Sequence, residues 1–216
     1  HTGEALLNEI SMQELGEVFA HNIQGVRHYM EVENYGEGLN LTIQVLDGIM
    51  CHNGEMLSNV YMPVKKTKEE FLAQYQNAYH DLETSSHNRP MTLEGCVVRI
   101  SDIIGYIGRD IEDAIQLGLF KRDELPKEIT DVLGNTNSQI MNTVILDIIE
   151  NSLDKPYIAL SDKVYHALFA LKKFNGKNIY SKSMSPNDIA YYREGMNKIY
   201  HLYLNDIQNK NTSSII

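Results

Sequence analysis

The sequence predicts an all-α fold, and three observations lead there. Only five prolines interrupt the 216 residues, none of them before Pro63, which leaves long intervals open to helices. Within those intervals apolar residues return at steps of three and four, the helical period. Strand-like alternation is confined to a short stretch near 157–160.

Taken in order, residues 3–15 read as an amphipathic helix with Leu6, Leu7, Ile10 and Met12 on its apolar side. Residues 16–33 read as a second helix, broken by Gly36 and Gly38. A third spans 42–52, anchored by Val45, Leu46, Ile49 and Met50, with Thr42 or Asn40 as its cap. Residues 53–66 read as a loop, 67–83 as a polar, exposed helix and 85–90 as a further loop. The longest helix is expected from Thr92 to Leu117, where Gly118 suits its stop. Further helices are expected at 137–153, 161–174 and 186–208, followed by a polar tail.

Composition excludes several classes. The chain is 43% hydrophobic and 22% charged, ordinary for a globular protein. It has no apolar run of about 18 residues, so no membrane span is expected. A net charge of −10 argues against a general nucleic-acid groove. Two cysteines, Cys51 and Cys96, form neither a metal spacing nor a disulfide framework; they read as core thiols in a reducing cytoplasm. Residue 1 is His and no signal-like segment follows, so a fragment or processed product of a longer protein is expected.

Three segments hold residues suited to chemistry. In the first, 99–115, Asp102, Tyr106, Asp110 and Asp113 recur at helical steps on a helix whose other positions are rich in Ile. A wet face is one reading. A site is the other, because a carboxylate stripe on a buried helix needs a metal, a cation or a polar ligand. In the second, His21, Gln24 and His28 share a face. Such a histidine is either structural or an acid–base group near neutral pH, and two His at i and i+7 are a poor zinc signature. In the third, Gly36 and Gly38 either form a turn or present backbone N–H groups to an anion, without a Walker pattern. His52 is placed to cap the C-terminus of its own helix.

In chain order these segments resemble the bacterial dGTPase family of HD-domain deoxynucleoside triphosphate triphosphohydrolases. The matching strings are His-Thr-Gly-Glu at 1–4, His-Asn-x-Gln-x-x-Arg at 21–27, Gly-Leu-Asn-Leu-Thr at 38–42 and Asp-Gly-Ile at 47–49. They continue with Thr-Leu-Glu-Gly at 92–95, Val-Arg-Ile-Ser-Asp-Ile-Ile-Gly-Tyr-Ile at 98–107 and Asp-Ile-Glu-Asp-Ala-Ile at 110–115. Each is weak alone, but seven in family order are specific; Leu125-Pro126 is a fainter echo, and the match loosens after about 150.

The resemblance implies an HD-domain helical bundle with additional C-terminal helices: residues 1–126 as the C-terminal part of the phosphohydrolase core, 127–216 as a helical extension of the same domain. It implies metal-dependent hydrolysis of dNTPs to deoxynucleoside and triphosphate. Asp102 matches the family's distant metal-binding Asp, while Tyr106 and Asp110 match residues that contact the deoxyribose and its 3′-hydroxyl. His21 matches the active-site histidine near the attacked phosphate, a general acid in role, with neutral Asn22 and Gln24 as its near neighbours in sequence. His1 resembles the last His of the run lining the phosphate end. The remaining ligands, a His and a His–Asp pair, belong upstream of His1, so this chain is expected to be a C-terminal portion, inactive alone and not retaining its divalent metal (magnesium, manganese or similar). Arg27, Arg99 and Arg109 are candidates for neutralising a triphosphate. A dNTP substrate, a homo-oligomer and a cytoplasmic location follow from the same resemblance. Two alternatives stand beside it: another HD-type nucleotide phosphohydrolase, and a metal-free regulatory or interaction protein.

Overall fold

Nine α-helices and one two-stranded ribbon make up the described residues of the computed structural model, 2–53, 57–81, 87–182 and 184–210. Helix α1 (Thr2–Glu14) buries Leu6 and Ile10, and Gly16 just beyond it adopts a left-handed φ of 69°. The second helix begins later than its sequence pattern predicts. Residues 17–20 are not helical, and two of their N–H groups are used elsewhere: Val18 donates to the Tyr79 carbonyl at 2.7 Å and Phe19 to Asn8 Oδ1 at 2.8 Å. Helix α2 therefore spans His21–Arg27 and continues as a π-helical turn, His28–Val32. The Gly36/Gly38 segment is a turn. Both glycine N–H groups donate to the Glu33 carbonyl, and a Cβ on Gly38 would strike the Met30 carbonyl.

Helix α3 (Ile43–Met50) starts after Thr42, whose side chain makes no capping bond. Helix α4 (Lys68–Asn77) opens on a capping box between Thr67 and Glu70, and it is less exposed than its polarity suggests because Phe71 and Tyr75 are buried. Helix α5 (Leu93–Gln116) is capped by the Thr92 hydroxyl, which accepts the Gly95 N–H at 3.0 Å. Helix α6 (Lys127–Leu133) was not legible in the sequence; its pattern is only Ile129 and Leu133, one turn apart. Helices α7 (Asn137–Ser152), α8 (Asp162–Asn175) and α9 (Pro186–Gln208) lie close to their predicted ranges. The ribbon pairs β1 (Val60–Tyr61), inside the predicted loop, with β2 (Ile158–Ala159), antiparallel with Tyr61 opposite Ile158.

Two apolar clusters organise these elements. The larger surrounds α5: Ile100, Ile103, Ile107 and Ile111 are almost wholly buried against residues of α6, α7 and α8. At about 1.5–3 kcal/mol per buried side chain, those isoleucines are a principal source of cohesion. The smaller joins Ile23 and Val26 of α2, Leu46 and Met50 of α3, and Phe71 and Tyr75 of α4. Helix α3 packs on both α2 and α5 and so links the clusters. Behind it, buried Asp47 accepts Lys66 Nζ at 2.6 Å and the Met91 N–H at 2.6 Å, tying three segments together.

Helix α5 is buried along one side. Its buried residues, from Gly95 to Ala114, occupy one side; Asp102 and Asp113 lie on the open side, with Tyr106 and Asp110 half-buried at the edge. Helix α9 buries only Asp206. Polar clamps hold it to α1: Arg193 to Glu9 at 2.9 Å, and His201 Nε2 to Glu14 at 3.0 Å. No helix among the described residues is long and apolar enough to cross a membrane.

Candidate active site

His21 sits at the first position of α2, where the chain leaves its non-helical stretch. Its backbone N–H, unpaired within the helix, donates to Glu4 Oε1 at 2.8 Å, and its ring Nδ1 meets the same oxygen at 2.8 Å. Glu4 thus grips both the backbone and the ring from α1. Burial raises the Glu4 pKa, but the two hydrogen bonds from His21 and its positive field outweigh that and hold the carboxyl below its ordinary value. This carboxylate is the partner that neutral Asn22 and Gln24 do not supply. Asn22 has another role: buried, it donates Nδ2–H to the Met50 carbonyl at 2.6 Å and fixes α2 on α3.

On its other side, His21 Nε2 lies 3.2 Å from His52 Nε2, the rings edge-on with centroids 5.0 Å apart. His52 Nδ1 donates to the Ile49 carbonyl at 2.6 Å, so it caps its own helix as its position predicts. His52 also lines an open cavity of about 960 Å³ between the π turn, α3 and the first turns of α5, together with Tyr29, Leu41, Ile49, Glu94 and Val98. Asp102 is one helical turn, ~5.4 Å, beyond Val98 on α5. His28 is separated from this group; its ring pairs with Glu33 at 2.9 Å.

Further along α5, Asp110 accepts the Tyr180 hydroxyl at 2.5 Å. Buried Asn175 helps carry that tyrosine into place by donating to the Ile107 carbonyl at 2.9 Å, just before the π-helical turn Gly176–Tyr180. Burial, then the bond to Asp110 and its charge, push the Tyr180 hydroxyl well above its ordinary pKa and keep it a neutral donor.

Curated relatives align along most of the chain. A protein of Clostridium tetani is 32% identical over 96% of this chain and 56% of its own length. One of Caldanaerobacter subterraneus is 30% identical over 96% of this chain and 50% of its own, and one of Clostridium perfringens is 36% identical over 83% and 45%. Each is named deoxyguanosinetriphosphate triphosphohydrolase-like protein. The chain belongs to the dGTPase-like family. No family model matches it. It spans about half the length of these relatives, and the similarity continues through the C-terminal helices that the sequence strings matched only loosely.

Within this dGTPase-like chain the predicted residues fall into two groups. His21 acquires Glu4 and His52 as partners, while Asp110 acquires Tyr180, and the half-buried Tyr106 lies one turn before it on α5. No hydrogen bond or ion pair reaches the Asp102 side chain among the described residues, and His1 lies outside them. The three arginines do not converge. Arg99 is buried and donates to the Cys51 and Asn88 carbonyls, while Arg27 and Arg109 pair with Glu31 and Asp113 on their own helices. Glu112 is structural, bound to Arg122 and to the Asn137 N–H. Cys51 and Cys96 are buried thiols, raised to about 12 and about 11, in both cases chiefly by burial. Sequence reasoning assigned no role to Glu4, although it closes the His-Thr-Gly-Glu string. Tyr180 gave no signal, being 70 residues from its partner.

Proposed function

We propose that the protein to which this chain belongs hydrolyses a deoxynucleoside triphosphate to the deoxynucleoside and inorganic triphosphate. The observation that carries this reading is the Glu4–His21 pair, a histidine fixed on both its backbone and its ring by one carboxylate. The names of the relatives supply the reaction class. In the hydrolysis, water attacks the α-phosphorus, the bond to the 5′-oxygen breaks, and that oxygen takes a proton from His21 Nε2. Glu4 keeps Nδ1 occupied, so that Nε2 is the nitrogen that exchanges the proton. Asp110, held by Tyr180, accepts a hydrogen bond from the sugar 3′-hydroxyl, and Tyr106 borders the same edge.

Among the described residues, Asp102 is the ligand this chain would offer a divalent metal. Among the described residues no three His, Cys, Asp or Glu side chains converge to hold an ion, and a catalytic site normally uses several protein ligands. The second reading is a metal-free regulatory or interaction protein.

The intact gene product, supplied with manganese and dGTP, decides between them. Release of inorganic triphosphate, abolished by Asp102→Ala, supports the hydrolase. No release, or turnover unchanged by Asp102→Ala, refutes respectively the activity or the metal role.

A further inference from the structure

The contact between the two imidazoles has a proton count fixed by its ends. The Ile49 carbonyl can only accept, so His52 Nδ1 carries a hydrogen. The Glu4 carboxylate, ionised because its pKa is lowered, can only accept, so His21 Nδ1 carries one too. The 3.2 Å contact between the two Nε2 atoms then needs one further hydrogen, since two facing lone pairs repel and two facing N–H groups collide. Three hydrogens are shared over four ring nitrogens, so the pair holds a single positive charge opposite the single negative charge of Glu4.

That third hydrogen has two possible seats. On His21 it places the cation against a full carboxylate charge at 2.8 Å. On His52 it places the cation at the C-terminus of α3, where the helix offers about half a charge. The other titratable groups near the pair, Glu94 of α5 and Tyr29 of the π turn, line the cavity beside His52 and touch neither ring in a hydrogen bond or ring contact among the described residues. The fuller charge wins.

We propose that His52 is a positioning residue for His21: as the Nδ1–H tautomer, it accepts the His21 Nε2–H and holds that proton at the nitrogen that gives it up. The functional consequence rests on the proposed role of His21 as the proton donor; the proton arrangement does not. A substrate 5′-oxygen replaces His52 as the acceptor. Once the proton has left, the two Nε2 lone pairs face each other, and the pair is driven to take up another proton from water in the open cavity.

The direct test is long-range ¹H–¹⁵N NMR of the imidazoles in the unmodified 216-residue chain, recorded at neutral pH. The expected pattern is hydrogen on both ring nitrogens of His21 and on Nδ1 alone of His52, with a scalar coupling between the two Nε2 atoms across the hydrogen bond. His52 carrying its hydrogen on Nε2, or absence of that coupling in the folded chain, overturns the proposal. No turnover is read, so this pattern can fail while the hydrolase reading stands, and the reverse. In an active gene product, His52→Ala is expected to lower kcat about tenfold with KM unchanged. His52→Gln, whose amide oxygen can accept from Nε2–H, restores most of that loss. Equal loss in both variants, or a loss confined to KM, contradicts positioning through the proton.

Discussion

The histidine end and the carboxylate end of the candidate site differ in how much of their surroundings this chain supplies. At the histidine end, Glu4, His21, His52 and the Ile49 carbonyl form an unbroken hydrogen-bonded series contributed by α1, α2 and α3. At the carboxylate end Asp110 is held by Tyr180, and Asp102 stands on the open side of α5. The difference shows which part of the chemistry is local. In the proposed hydrolysis, proton handling would fall to groups within these residues, and Asp102 would be one ligand of a metal held with others.

The largest effect is expected from removing what anchors the histidine end. Lys66→Met leaves Asp47 buried behind α3 without its counter-charge, and is expected to lower unfolding stability by about 3–5 kcal/mol in urea titration. A loss below about 1 kcal/mol would mean that water reaches Asp47, and that α3 is not pinned from behind. A smaller effect tests the carboxylate end. Tyr180→Phe removes one hydrogen bond to Asp110 at a partly exposed position, a change of about 1 kcal/mol. In steady-state kinetics with dGTP it should raise KM about fivefold and leave kcat alone. A fall in kcat instead would move Tyr180 from substrate binding to the proton-transfer machinery.

Acid should loosen the histidine end. The Glu4 carboxyl is lowered in the folded chain, so its contribution is present above its ordinary value and is lost as pH falls through the lowered one. Glu4→Gln should flatten that acid limb of stability, and an unchanged limb would show that Glu4 does not engage His21 in solution. The smallest effect lies at α9. His201 is raised by its bonds to the Asn197 carbonyl and Glu14, so its contribution is complete below its ordinary value and disappears as pH rises through the raised one. Amide exchange in α9 should quicken across that interval and should lose its pH dependence in His201→Gln.

How much of this was readable in the sequence follows from the range of each interaction. Helices α5, α7, α8 and α9 are long enough for their apolar period to show, and their ends carry local signals such as Thr92 and Gly118. Helix α6 is only seven residues long, and the late start of α2 depends on Val18 reaching Tyr79, a contact no local pattern records. The capping role of His52 was legible because its acceptor is three residues away. Glu4 and Tyr180 were not legible as partners, since they meet His21 and Asp110 across 17 and 70 residues. The sequence places the carboxylate stripe on one helix but leaves a wet face and a site as alternatives; Asp102 and Asp113 are exposed, with Tyr106 and Asp110 half-buried. Its open position is a property of packing that the Ile-rich pattern of α5 does not encode.

The central claim, that the histidine end carries the proton transfer of a dGTPase-like hydrolase, is tested most directly by His21→Asn in the intact gene product. Triphosphate release from dGTP should be compared with the unmodified enzyme at equal folded concentration. The account predicts a loss of about 10²–10⁴-fold in kcat with little change in KM or thermal stability. Turnover within threefold of the unmodified enzyme would contradict it.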